Sequence, residues 1–81
     1  MEIKVLGTGC ANCKTLEKSV FSALAEMNFD ANVEKVEDIT KIMGYGVMRT
    51  PALVINGKVV FYGRIPSVKE LKEIIIKHQA T

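Results

Sequence analysis

Two cysteines three positions apart, in Cys10-Ala11-Asn12-Cys13, stand where one periodicity gives way to another. Before them, residues 1–6 alternate and are rich in Ile and Val, the pattern of a strand. Gly7-Thr8-Gly9 breaks that strand, and from Cys10 onward the apolar residues recur at helical spacing. Both thiols therefore fall in the first turn of a helix that follows a strand directly. Residues i and i+3 of a helix have β-carbons about 5–6 Å apart, and a disulfide needs them about 3.5–4.5 Å apart. A small adjustment closes the ring and another reopens it. The pair reads as a site for reversible oxidation at a helix N-terminus.

The remaining elements follow from pattern and punctuation. Glu2–Leu6 is a first strand. Residues 10 to about 27 form a helix whose stripe is Leu16, Val20, Ala23, Leu24 and Met27. Asn32–Val36 is a second short strand. Asp38 caps a short helix carrying Ile39, Ile42 and Met43, which stops at Gly44-Tyr45-Gly46. Ala52–Ile55 and Lys58–Tyr62 flank Asn56-Gly57, a strong type I′ hairpin signal. Ser67-Val68-Lys69-Glu70 is a capping box that opens a last helix, with Val68, Leu71, Ile74 and Ile75 facing inward. The order is β-α-β-α-β-β-α. A strand–helix–strand unit implies a right-handed crossover and parallel strands. The hairpin then adds antiparallel strands, so the expected fold is α/β, with a mixed four-stranded sheet covered by helices.

With 81 residues, the chain has room for one domain, residues 1–81, and no second core. Its 48% hydrophobic and 25% charged content is that of a globular protein rather than a disordered one. A net charge of +2 comes from scattered lysines with no basic cluster, which argues against nucleic acid as a partner. No apolar run approaches the roughly 20 residues of a membrane span. A strand starting at Glu2 leaves no room for a signal peptide, and two cysteines are too few for a secreted disulfide framework. The expected setting is a reducing cytoplasm, and the expected state a monomer.

The element order with a two-cysteine motif at the first helix resembles the thioredoxin fold. A second stretch sharpens the resemblance: Tyr45-Gly46-Val47-Met48-Arg49-Thr50-Pro51, then Ala52-Leu53-Val54-Ile55-Asn56-Gly57-Lys58. It is similar to the segment around the family's cis-proline, in which a helix end leads to X-Pro, an apolar strand and an Asn-Gly turn. Gly63 followed by Ser67 as a helix cap matches the family's ending. The similarity spans nearly the whole chain and is nearest to small, glutaredoxin-sized redox-active disulfide proteins. It implies a thiol–disulfide oxidoreductase that needs no cofactor beyond the Cys10–Cys13 disulfide. It implies a cis Thr50-Pro51 bond, with the proline ring facing the cysteines and the Thr50 backbone free to pair with an extended partner segment. Partners would be proteins carrying disulfides and an upstream thiol reductant, either a thioredoxin reductase-like protein or a small thiol. The chain also departs from the family. Its dipeptide is Ala11-Asn12, neither Gly-Pro nor Pro-Tyr. Lys4 stands where thioredoxins carry a buried acid, and Gly63-Arg64-Ile65-Pro66-Ser67 replaces the glutathione-binding segment of glutaredoxins.

The chemistry of the pair can be argued from the residues alone. A Cys10 thiolate would face unpaired helix N–H groups and the positive end of the helix dipole, worth about 0.3–2 kcal/mol to an anion. That lowers the thiol pKa from its ordinary value, and Lys14 would add to the effect. Cys13 falls in line with Leu16, Val20 and Leu24, whereas Cys10 lies at the edge of that stripe. Cys10 is then the exposed attacking thiol and Cys13 the shielded resolving one. Arg49, beside Thr50, would steer an anionic partner or simply be solvated. Tyr45 and Phe61 are expected to pack, and Met27, Met43 and Met48 fit helix faces or loop packing. A second reading is soft-metal carriage. Gly7-Thr8-Gly9-Cys10-Ala11-Asn12-Cys13 resembles the thiolate loop of small copper(I) domains, and thiolates suit that ion. Those domains carry Met where this chain has Thr8, and they end on a strand rather than a helix. Structural zinc needs four ligands, against two thiols and a distant His78.

Overall fold

The alternating segment Glu2–Leu6 forms a central strand because both its neighbours give it apolar partners. The computed structural model describes residues 1–9 and 11–79. Its elements are β1 (Glu2–Leu6), α1 (Ala11–Met27), β2 (Asn32–Val36), α2 (Ile39–Gly44), β3 (Ala52–Ile55), β4 (Lys58–Tyr62) and α3 (Val68–Gln79). The sheet has strand order β2-β1-β3-β4. β1 and β2 run parallel, from Glu2 opposite Asn32 to Leu6 opposite Val36. β3 lies antiparallel on the other side of β1, from Ile3 opposite Ile55 to Leu6 opposite Ala52. β4 closes the hairpin antiparallel to β3. The expected mixed α/β sheet and element order are therefore what the chain adopts.

Successive strand residues point to opposite faces, and the two faces are covered unequally. On one, Ile3 and Val5 of β1 and Leu53 and Ile55 of β3 meet the α1 stripe of Leu16, Val20, Ala23 and Leu24, with Leu71 and Ile75 of α3. Met27, Val68 and Ile74 pack partly buried at its margin. On the other face, Leu6, Ala52 and Val54 meet Val36, Val47 and Ile42 of the short α2. β3 is buried along its whole length, as a strand covered on both sides must be.

The local devices explain the register. Asn56 (φ 51°) and Gly57 (φ 82°) both occupy the left-handed region that a type I′ turn requires. Asn56 also ties the turn to β1. Its side-chain oxygen accepts from the Glu2 N–H at 2.9 Å, and its own N–H donates to the Glu2 carbonyl at 2.8 Å. β4 carries a bulge that the sequence did not announce: Val54 faces Val59 while Leu53 faces Phe61. The extra residue lets Val60 and Phe61 both join the larger core while Val59 packs on the other face. Asp38 caps α2 by accepting from the Thr40 N–H at 2.9 Å. Ser67 caps α3 by accepting from the Glu70 N–H at 3.2 Å. The reciprocal half of the expected capping box is replaced: the Glu70 carboxylate accepts from Arg64 Nη2 at 2.9 Å. Arg64 in turn lies over the Phe61 ring, its guanidinium carbon 5.6 Å from the centroid.

Candidate functional site

β1 carries its ladder one step past Leu6, where the Gly7 N–H donates to the Val36 carbonyl at 2.9 Å. On the other side, the antiparallel ladder ends at Leu6 opposite Ala52, the residue that follows Pro51. This end of the sheet receives the head of α1. Cys13, the third residue of α1, is 1% exposed and heads the buried stripe. Its sulfur rests on Gly7: a β-carbon there would collide with Cys13 Sγ and stand 2.8 Å from Cys13 Cβ. Gly7 is thus required for close approach rather than for an unusual backbone angle. The shielded position inferred for Cys13 is the one it occupies. Cys10, inferred to be the attacking thiol, lies outside the described residues.

Thr50-Pro51 is a cis peptide bond, as the resemblance implied. Pro51 is buried and Thr50 exposed. The Pro51 carbonyl accepts from the Gly63 N–H at 2.9 Å, which anchors this loop to the end of β4. Arg49 is exposed, and its aliphatic stem runs along Gly63; an added β-carbon there would lie 3.3 Å from the Arg49 chain. Beside Thr50 opens a groove of about 340 Å³ with Thr8 on one side and Ile39, Ile42, Met43 and Met48 on the other. Two methionines therefore depart from the packing role expected of them: Met43 is 63% and Met48 87% exposed. The six-residue α2 rests on the sheet through Ile42, so Ile39 and Met43 are left to the groove.

The charges around the site are arranged by strand parity. Lys4 lies on the α2 face, where its ammonium donates to the Tyr45 hydroxyl at 3.4 Å and stands 4.0 Å from Glu34. The Tyr45 hydrogen bond, then the nearby charges, holds the Lys4 pKa above its ordinary value. Tyr45 itself packs, half-buried, against the smaller core. On the α1 face, Lys35 of β2 stands 3.5 Å from Glu17 Oε2. Glu37 follows β2 and reaches Gly9, where an added β-carbon would lie 3.4 Å from Glu37 Oε2. The first turn of α1 holds no acid that would offset its positive end.

Sequence reasoning missed two residues here. In the sequence Gly7 reads as a strand breaker, and only packing distinguishes a glycine that a sulfur sits on from one that merely turns the chain. Glu17 carries no motif in the sequence, although it lies four residues after Cys13 and so on the same side of the helix. An acid at the margin of an apolar stripe was the available signal.

A sheet ordered β2-β1-β3-β4, a cysteine buried at the head of α1 and a cis-proline just before β3 together define a thioredoxin-like α/β protein. The comparison with known proteins is direct. The thioredoxin domain family model matches residues 1–76, and the chain belongs to that family. A thioredoxin of Methanothermobacter thermautotrophicus is 39% identical over 75 residues, covering 93% of this chain and 97% of that protein. A thioredoxin of Methanocaldococcus jannaschii is 39% identical over 71 residues, covering 88% and 81% respectively. Among the described residues, no helix is long and apolar enough to cross a membrane.

Proposed function

We propose that the protein is a thiol–disulfide oxidoreductase that cycles Cys10 and Cys13 between dithiol and disulfide and so reduces or exchanges disulfides in partner proteins. The observation that carries this reading is the seat of Cys13, buried at the head of α1 with its sulfur on Gly7. The Cys10 thiolate attacks one sulfur of a partner disulfide, forming a mixed disulfide and releasing a partner thiol. The Cys13 thiolate then attacks the Cys10 sulfur. The internal disulfide forms, the bond to the partner breaks, and the electron pair leaves on the partner sulfur that had been bonded to Cys10. An upstream thiol reductant, a thioredoxin reductase-like protein or a small thiol, restores the dithiol. Thr50 and Pro51 border the path of an extended partner segment, and the groove lined by Met43 and Met48 supplies adaptable apolar contact. The reducing cytoplasm fits a protein whose working form begins as two thiols.

Substrate trapping tests the assignment. Cys13→Ser leaves attack intact and removes the internal escape, whose rate depends on the high effective concentration of a neighbouring thiol. Cys13→Ser should accumulate disulfide-linked adducts on non-reducing gels of cell extracts, and Cys10→Ser few. Equal adduct levels, or none with Cys13→Ser, would refute Cys10 as the exchange nucleophile.

A further inference from the structure

Glu17 Oε2 is closed off from solvent and has no hydrogen-bond partner among the described residues. Lys35 Nζ approaches to 3.5 Å but outside hydrogen-bonding geometry. A buried carboxylate oxygen without a donor is costly and calls for a reason. The pair is also half-buried, with 30% of the Glu17 side chain and 33% of the Lys35 side chain exposed. Glu17 sits one helical turn after Cys13, at a separation where β-carbons on one face of a helix are about 5–6 Å apart. Strand parity brings Lys35 to the same spot, because Lys35 is the partner of Val5 on the face that α1 covers.

We infer that Glu17, held by Lys35, is the proton acceptor for the buried Cys13 thiol. This rests on the reading of Cys10 and Cys13 as the exchange pair and supplies a step that reading leaves open. A thiol sealed from solvent needs a nearby base, and the position expected to hold one carries Lys4, which is engaged with Tyr45 on the opposite face. The Cys13 S–H proton passes to Glu17 Oε2. The thiolate then forms the bond to Cys10 sulfur, and the departing partner thiolate takes the proton back from Glu17. Protons and electron pairs balance within the site. Among the described residues, the charged and titratable neighbours of Glu17 come from α1, β2 and the residue after β2, where Glu37 reaches toward Gly9. Lys35 comes from β2, and Cys13 and Lys14 lie one turn earlier on α1. β1 offers only Ile3 and Val5 on this face, and α3 offers Leu71 and Ile75, its Lys72 being paired with Glu26 at 2.9 Å. The lysine offsets the charge of Glu17, which otherwise would resist formation of a thiolate beside it.

The test separates the two thiols in time. Reduced protein mixed with one equivalent of a chromogenic aromatic disulfide releases one aryl thiolate as Cys10 attacks and a second as Cys13 resolves. Stopped-flow absorbance across pH reads both phases. In Glu17→Gln the first phase should be unchanged. The second should slow by at least about tenfold near neutral pH, the low side of what a positioned proton acceptor contributes. The gap should close as hydroxide takes over at alkaline pH. Glu17→Asp, which keeps the carboxylate, should recover part of the rate with the wild-type pH profile. A second phase in Glu17→Gln as fast as or faster than wild type would overturn the inference, because loss of the charge alone favours the thiolate. Equal slowing at every pH would overturn it too, by marking a structural role. A wild-type protein that shows no second phase would overturn the exchange reading itself.

Discussion

Gly7→Ala puts a methyl group where the structure places sulfur. The added β-carbon meets Cys13 Sγ head-on and approaches Cys13 Cβ to 2.8 Å, and Cβ cannot move away without the helix backbone. Cys13 is fixed by the backbone of α1 and by the buried stripe behind it, so relief requires the helix head to lift from the sheet. Overpacking of this kind costs about 1–3 kcal/mol. Replacing a glycine returns about 0.4–1 kcal/mol through the unfolded chain, leaving a net loss of about 1–2 kcal/mol. For a chain of this length that lowers Tm by about 4–16 °C. The assay is urea unfolding of four proteins, wild type, Gly7→Ala, Cys13→Ala and the double variant, all under reductant so that no disulfide differs between them. Cys13→Ala removes the sulfur but keeps the β-carbon, so Gly7→Ala should cost about 1 kcal/mol less in that background. A cost below about 0.5 kcal/mol in wild type would refute the seat. A cost unchanged by Cys13→Ala would place the clash elsewhere. The same variant should slow the resolving phase of exchange, since the thiol it displaces is the one that must reach Cys10.

Two further predictions concern the frame of the site. Asn56→Ala loses a residue tolerant of the left-handed region and the acceptor for the Glu2 N–H. It should destabilise the protein by about 1–3 kcal/mol in urea titration, and a loss within error of zero would mean the turn does not hold β1. Lys4→Met removes a lysine whose folded pKa is raised by Tyr45. A raised pKa gives stability that is complete below the unfolded value and fades as pH rises through the folded one. Wild type and Lys4→Met should therefore differ by a constant amount from pH 7 to about 10 and converge above 10.5; a gap that widened with alkalinity would contradict the sign.

The parts of this fold that the sequence made legible are those where one residue type does one job. Asn56-Gly57 announces two left-handed residues, and the stripe from Leu16 to Leu24 announces a buried helix face. Asp38 and Ser67 both cap as their side chains suggest. What stayed hidden depends on a partner that the local pattern does not name. Val59 and Val60 are chemically alike, so the alternation of β4 gives no sign of where the bulge falls. Glu70 completes a capping box on paper, but Arg64 competes for its carboxylate and holds it. Ile39 and Met43 are apolar on a helix, yet two turns resting on one buried residue cannot cover them. In the site, Thr50-Pro51 was legible through family resemblance rather than physics. Gly7 and Glu17 were not, because a close approach and an orphaned oxygen belong to the packed state alone.

The unequal cover of the sheet bears on what the site can do. Two long helices cover the face on which the Cys13 sulfur is buried at the head of α1. The other face is covered by α2 and its neighbouring loops, and its surface toward Thr8 and Thr50 stays apolar and open. An exchange protein, on the proposed reading, needs both conditions. Resolution within the protein outruns escape of the partner only if the second sulfur waits at a fixed distance. Recognition of more than one partner favours unbranched, flexible side chains that repack, which describes Met43 and Met48. Exchanging the two conditions would defeat both purposes: a rigid groove would select one partner, and a loose Cys13 would let mixed disulfides persist. On the proposed reading, a buried Cys13 sulfur and an open apolar groove beside Thr50 suit exchange better than metal carriage. A soft-metal loop presents both of its sulfurs to the ion, whereas the Cys13 sulfur lies buried at the head of α1.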